Sequence, residues 1–408
     1  MTPTETRAEG LTNSVAVLLR SFLAIGMTLV LAGAALAFAR DGRLPHGTVP
    51  SAELAEQVAG LDGAAFATLG ILILLATPPL ALGWIGTSFA RAGDRFFAAL
   101  SAMLLALVVV GLLAAGLAGM DADTERLGAS SGLVVFGVLL AAAGSGALGV
   151  QVGLGGAAFL VPMLSGFFAV PMKLAIAAGA VSVVVNSIVG TSSYMRDRIP
   201  NIRLGLLLEL SNLVGAIVGG LLVAVVAADV LRGLFAAVIL ALALRTVTKP
   251  RDSHVVSGGP DRFRVAGAYH DAATGEDVSY QPQRLALGAG AGLVGGTLSG
   301  LLGLAGGVVK MPVMNTIMRM PVKAAAATSV MMGGITVSAS AYIYYVHDLL
   351  DLAIVIPAVI GIQIGSRSGA RLSRRLKGVV LERVFAAVLT GLGLVLVLQL
   401  LGVGAPAS

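Results

Sequence analysis

The chain reads as long apolar blocks divided by short polar breaks. Blocks that predict membrane-spanning helices fall at 21–39, 64–90, 97–118, 131–152, 171–195, 204–227, 231–244, 285–302, 321–346, 352–369 and 380–401, because ~20 apolar residues of α-helix match the hydrocarbon core of a bilayer. Two shorter blocks, 154–169 and 304–320, are interrupted by Gly and Pro and predict half-helices or re-entrant hairpins. The first block ends in Ala37-Phe38-Ala39, which is like a signal-peptidase site. Its apolar run is long for a signal peptide and a membrane bundle follows at once, so a retained helix is expected. The stretch 245–284 is the one sizeable hydrophilic insertion. Within it Phe263–Tyr269 and Asp277–Gln281 alternate around Asp271–Gly275, which predicts a small β-hairpin acting as a connector.

Composition agrees with the pattern. Of 408 residues, 57% are hydrophobic and 12% charged, about half the charged fraction of a soluble domain. Mean hydropathy is +0.94. These values exclude an ordinary globular enzyme and a disordered chain. The 54 glycines suit close helix packing and broken helices in lipid. With no Cys, disulfides, iron–sulfur clusters and thiolate metal sites are excluded.

Charge sorts the loops into two sides. Arg91 and Arg95, then Arg196, Arg198 and Arg203, then the basic linker 245–284, then Arg371, Arg374, Arg375 and Lys377 read as cytoplasmic. Asp121, Asp123 and Glu125, then Asp229, then Asp348 and Asp351 read as external. The expectation is a multi-pass protein of the cytoplasmic (inner) cell membrane, with the N-terminus inside and the C-terminus outside.

An internal repeat runs through the chain at an offset of 150. It pairs Gly146 with Gly296, Gly153 with Gly303, Leu154 with Leu304, Gly156 with Gly306 and Pro162 with Pro312. It continues through Pro171 and Pro321, Lys173 and Lys323, Tyr194 and Tyr344, Gly215 and Gly365, and Gly219 and Gly369. It closes on Phe235-Ala236-Ala237-Val238 against Phe385-Ala386-Ala387-Val388. Matched loops carry opposite charge: basic Arg196–Arg203 corresponds to acidic Asp348 and Asp351. The repeats therefore enter the membrane in opposite directions, as in many secondary transporters. Two counts per repeat stay open: three crossings plus a re-entrant hairpin, or five crossings with two short. The fold class is an all-α polytopic membrane protein with two inverted repeats. Its domains are 1–128, an N-terminal three-helix membrane unit; 129–244, the first repeat; 245–284, the cytoplasmic linker; and 285–408, the second repeat.

The Gly-rich breaks Gly153-Leu154-Gly155-Gly156 and Gly303-Leu304-Ala305-Gly306-Gly307 let a helix stop and restart. Pro162 and Pro312 weaken each ladder again. A helix restarting at depth offers free N–H groups and a positive dipole end to an anion. Charges at that depth are functional candidates. Lys310 lies between the second break and Pro312, opposite apolar Leu160 in the repeat, and suits an anionic ligand. Glu209, opposite Val359, is a candidate for proton coupling or a partner for Lys310 or Arg367. Asn186, Asn315, Thr328 and Ser329 supply amides and hydroxyls near the breaks; Thr316, Thr336, Ser338, Ser340, Ser187, Thr191, Ser192, Gln151 and Gln363 are weaker candidates. Lys173 and Lys323 read as interface anchors. No Walker motif, dinucleotide fingerprint or paired-His metal site occurs, so no cofactor, metal or nucleic acid is expected.

The segments GLGG…P, GLLGLAGGVVKMPVMN…PVKAAAATS and GIQIGSRSGARLSRRL…FAAV resemble the paired signatures of the TauE/SafE family of sulfite and organosulfonate exporters, over 131–401. The resemblance implies a permease for a small, sulfur-containing anion. It also points to Thr328 and Ser329 as binders. The first repeat has Ala177-Ala178-Gly179 where the second has Ala327-Thr328-Ser329, which implies that the second repeat carries more of the polar contacts. Thr77-Pro78-Pro79, Trp84, Phe89 and Asp94-Arg95 resemble a three-helix membrane domain of unknown function, and Pro78-Pro79 is expected to kink or break the second span.

The resulting expectation is a non-enzymatic secondary transporter for a small anion, working by alternating access between the repeats. Its candidate site is Gly153, Gly155, Gly156, Pro162, Asn186, Gly303, Gly306, Gly307, Lys310, Pro312, Asn315, Thr328 and Ser329, with Glu209 for ion coupling. The implied partners are the anion and the lipid bilayer, with room for a co-transported H⁺ or Na⁺ and for a homo-oligomer. The alternative is a non-transporting scaffold or sensor, indifferent to Lys310. A channel would show no saturation. A lipid- or quinone-modifying enzyme would need clustered acids or His, but His46, His254, His270 and His347 are scattered.

Overall fold

The computed structural model describes residues 3–118, 132–223, 225–248, 261–272 and 274–373, together with 390, 391 and 394. The N-terminal part comprises α1 (Pro3–Asp41), α2 (Leu54–Ala59), α3 (Gly63–Arg91) and α4 (Arg95–Ala118). Then come α5 (Gly132–Val152), α6 (Ala157–Phe167), α7 (Met172–Arg196), α8 (Ile202–Leu222) and α9 (Ala228–Thr248). A hairpin of β1 (Gly267–Asp271) and β2 (Glu276–Tyr280) precedes α10 (Leu285–Leu302) and α11 (Gly307–Pro312). One π-helical turn, Val313–Ile317, extends α11, and α12 (Val322–Val346) and α13 (Leu352–Ser373) follow. Among the described residues nine helices are long and apolar enough to cross a membrane: α1, α3, α4, α5, α7, α8, α10, α12 and α13. This is an all-α, multi-pass membrane protein. The 231–244 block lies within α9. The expected span 380–401 except for 390, 391 and 394, the acidic loop of Asp121 to Glu125, and Arg374, Arg375 and Lys377 lie outside the described residues.

Helix boundaries repeat at the offset seen in the sequence. Adding 150 to α6 gives 307–317, which is α11 with its π turn; adding it to α7 gives 322–346, which is α12. The positive-φ positions repeat too: Gly153 and Gly303, Gly155 and Ala305, Gly156 and Gly306, Ala169 and Arg319, Arg198 and Asp348. Packing exchanges partners between repeats: α5 lies against α13 and α10 against α8, while α7 and α12 pack on each other. Such exchange is what a two-fold relation requires. Matched glycines bring the backbones together. A Cβ on Gly215 would fall 2.3 Å from the Leu293 carbonyl, and one on Gly365 1.9 Å from that of Ala143, its equivalent. Small residues let helices approach this closely where lipid supplies no hydrophobic drive.

Burial shows where the centre is. The apolar windows of α7 and α12 are wholly buried, whereas those of α1 and α4 are one-third buried, so the first pair forms the core and the second faces outward. The N-terminal helices flank the repeats: α1 docks on α7 and α13, and α4 on α8 and α12. α3 runs through Pro78 and Pro79 as one helix, so of the expected kink or break the break is absent. Packing from α1, α4, α7 and α12 holds it, as neighbouring helices do for prolines in membranes. Elsewhere proline defines starts: Pro171 and Pro321 stand at the N-caps of α7 and α12, with ψ of 136° and 140°.

The hairpin is antiparallel, in register from Gly267↔Tyr280 to Asp271↔Glu276. Val265, Tyr269 and Tyr280 pack with Leu204, Leu208, Met314, Met318 and Met320. Asn201 ties it down, its Nδ2 donating to the Val265 carbonyl at 2.7 Å while its Oδ1 caps α8 at Leu204 N. Lys323 pairs with Asp271 at 2.6 Å. The hairpin is thus packed against the helix that follows the second break, and is more than a slack connector.

Candidate functional site

The two breaks meet. A Cβ on Gly153 would lie 2.9 Å from the Ala326 Cα, and one on Gly303 2.7 Å from the Ile176 carbonyl. Ile176 and Ala326 are themselves 150 apart, so each break packs on the long helix of the other repeat. Between the breaks, a Cβ on Gly155 would be 3.2 Å from that of Ala305, and one on Gly307 2.3 Å from the Gly153 carbonyl. Gly153, Gly155, Gly156, Gly303 and Gly306 all have φ between 62° and 83°, which Gly adopts without strain. Beyond the breaks α6 is 11 residues long, ~16 Å at 1.5 Å per residue, or half a ~30 Å hydrocarbon core. Pro162 and Pro312 lie inside these short helices, and a π turn follows Pro312.

Lys310 is one turn past the second break, its N–H donating to the Gly306 carbonyl at 2.9 Å. It is 3% exposed. Its ammonium nitrogen has no hydrogen-bond partner among the described residues. Glu209, fully buried on α8, is the charge with which it interacts electrostatically. The Thr336 hydroxyl on α12 donates to Glu209 Oε1. Asn212 Nδ2 donates to Thr336 Oγ1 and, at 3.3 Å, to Glu209 Oε2. Asn212 Oδ1 has no hydrogen-bond partner among the described residues and faces the break, 3.1 Å from where a Gly306 Cβ would stand. One cation, one carboxylate, an amide and a hydroxyl therefore share a buried place at the second break. Such groups are costly in lipid unless they serve a ligand or an ion.

The first break is lined differently. Asn186, the repeat equivalent of Thr336, accepts from Ser366 Oγ at 2.6 Å, and its Nδ2 has no hydrogen-bond partner among the described residues. The equivalents of Lys310, Glu209 and Asn212 are Leu160, Val359 and Ile362, all buried.

The remaining expected binders make contacts of their own. The Thr328 hydroxyl accepts from Asn201 N at 2.9 Å, and Ser329 Oγ donates to the Gly153 carbonyl at 2.8 Å. Both lie about two turns, ~12 Å, before Thr336 along α12. Asn315 Nδ2 bonds the Met320 carbonyl. The structure brings Lys310 and Glu209 together and adds Asn212, which the sequence reading passed over, and Thr336, which it ranked low. The available signal was that Asn212 and Thr336 both differ in polarity or size from their repeat partners, Ile362 and Asn186.

The family model described as Sulfite exporter TauE/SafE matches residues 138–396. A second, Protein of unknown function (DUF1634), matches residues 15–113. No curated protein and no solved structure matches the chain.

Proposed function

We propose that this chain, which belongs to the Sulfite exporter TauE/SafE family, is a secondary permease for a small anion, sulfite or another sulfur-containing or organosulfonate anion. The observation that carries the reading is Lys310: a buried ammonium without a hydrogen-bond partner among the described residues, one turn past a helix break. An anion held there gains a charge-assisted contact and the first free N–H groups of the restarting helix. Gly303, Gly306 and Gly307 let the backbone approach it, and Gly153, Gly155 and Gly156 supply the facing wall. Pro162 and Pro312 set where the short helices weaken. Ser329 fastens α12 to the first break, and Thr328 fastens it to the α8 cap. Asn186, Asn315 and Thr336 complete the polar lining.

When the anion takes the cation, Glu209 loses its counter-charge and binds a proton, which couples proton and anion movement. Transport proceeds by rocking one repeat against the other around the paired breaks. The repeats have opposite topology in the inner membrane, with the N-terminus inside. Cysteines placed at Arg198 and Asp348 in this Cys-free chain are then labelled from opposite sides, and labelling from one side would reject the inversion. The reading itself is tested by flux into proteoliposomes of sulfite, thiosulfate, sulfonates and carboxylates. Saturable flux of the sulfur anions that collapses in Lys310→Ala supports it. No flux of any of them would favour a scaffold or sensor.

A further inference from the structure

A polar cavity lies away from the breaks. It has a volume of about 250 Å³ and is lined by Arg20 and Leu23 of α1, Val189, Ser192, Ser193 and Arg196 of α7, and Arg367, Ala370 and Arg371 of α13. The spacing explains its construction. Residues 189, 192, 193 and 196 share one face of α7, and 367, 370 and 371 one face of α13, at the i, i+3, i+4 interval. Four arginines line it, and among the described residues no Asp or Glu does. Arg20 is held in place by donating to the Ser192 carbonyl at 3.2 Å. Among the described residues, Arg196, Arg367 and Arg371 have no salt-bridge partner, in contrast to Arg203, which pairs with Asp94 at 2.8 Å.

Arginine stays protonated at any ordinary pH, so the cavity carries four like charges that repel one another unless an anion enters. Guanidinium forks match the paired oxygens of a phosphoryl or sulfuryl group. The repeat equivalents of Arg196, Arg367 and Arg371 are Val346, Ile217 and Leu221, so the fold does not demand the charges. The fourth arginine comes from the N-terminal unit, not from the repeats.

We propose that this cavity is an oxyanion site for a tetrahedral phosphate- or sulfate-type group, which clamps α1 of the N-terminal unit to α7 and α13 of the permease. Two sources share that chemistry: the headgroup of an anionic lipid, since Arg196 ends its span at headgroup level, and a free oxyanion from solution. The proposal does not depend on Lys310 or on transport.

The test uses the purified full-length protein in zwitterionic detergent and follows its thermal unfolding midpoint. One arm titrates sodium sulfate against sodium chloride at matched ionic strength. The other titrates phosphatidylglycerol against phosphatidylcholine. A rise over the control in either arm is expected, and the arm that responds names the source. Arg20→Gln with Arg371→Gln is expected to shift half-saturation by about tenfold or more, as loss of charge-assisted contacts does. Arg20→Lys with Arg371→Lys, which keeps charge and folding but removes the forks, should fall between. Lys310→Met should respond as the unaltered protein does. Absence of a rise in both arms, or an unchanged titration in both arginine variants, would overturn the proposal. A response lost only in Lys310→Met would do so too, because the anion would then sit at the breaks.

Discussion

The two helix breaks share a backbone and differ in chemistry. Gly153, Gly155 and Gly156 match Gly303, Ala305 and Gly306 in the sign of φ. Tyr194 OH donates to the Val150 carbonyl, and Tyr344 OH to that of Gly300, each reaching back 44 residues. Around this common frame the first break places Leu160, Val359 and Ile362 where the second places Lys310, Glu209 and Asn212. The duplication preserves what shape needs and leaves the charge on one side. The crossing of the breaks needs both frames; a buried charge in lipid is expensive enough that one copy suffices.

The largest effect that tests this contrast is on flux. Lys310→Met is expected to lower transport by about 100-fold or more, in line with the 2–5 kcal/mol lost when one member of a buried charged pair is truncated. It should also destabilise the protein by about 3–5 kcal/mol, because Glu209 stays buried without its counter-charge. Lys310→Met with Glu209→Gln should regain most of that stability and none of the flux. Leu160→Met at the equivalent place should cost less than about 1.5 kcal/mol and leave transport intact. Equal flux losses from Lys310→Met and Leu160→Met would remove the asymmetry.

Backbone strain comes next. Gly155→Ala would place a Cβ 2.9 Å from both Val183 methyls at φ of 77°, at a cost of about 1–3 kcal/mol. Ala305→Gly, its equivalent, removes a positive-φ Cβ and should stay within about 1 kcal/mol of the original. Thermal unfolding of both variants checks the pair. If Ala305→Gly were the more damaging, the breaks would not share a frame. Smaller still, Tyr194→Phe and Tyr344→Phe should each cost about 1 kcal/mol, by similar amounts.

The sequence shows the frame more clearly than the site. Paired Gly and Pro at one offset mark the starts of α6 and α11 and of α7 and α12, because caps and turns are local. Lys310 and Glu209 also stand out, since any charge in an apolar run does. Their neighbours do not. α7 and α12 are apolar on all faces, so periodicity leaves their rotation undefined. The family resemblance puts Thr328 and Ser329 ahead of Thr336, and it is the packing of α12 on α8 that brings Thr336 to Glu209. The arginine cavity was hidden for a related reason. Arg196 and Arg371 read correctly as basic loop-edge residues, yet their convergence with Arg20 depends on where α1 docks.

The smallest effect concerns the hairpin that covers the segment following the second break. Tyr280 of β2 packs over Met314 and Met318, and burial pushes its phenol up from the ordinary 10 to about 12. Asn201 Nδ2, donating to the phenol oxygen at 3.4 Å, opposes that rise only in part. A pKa raised on docking means that the docked hairpin favours the protonated phenol. The stabilisation is complete below pH 10 and is lost as pH climbs through about 12. Trypsin cleavage at exposed Arg262 and Arg264 should stay slow up to about pH 10, and phenolate absorbance should rise in step with any undocking above it. In Tyr280→Phe the Tyr280 contribution to that absorbance should vanish and the alkaline loss of protection should weaken. If alkaline undocking slowed flux in step with the lost protection, the cover would belong to the second break's function as well as to its packing.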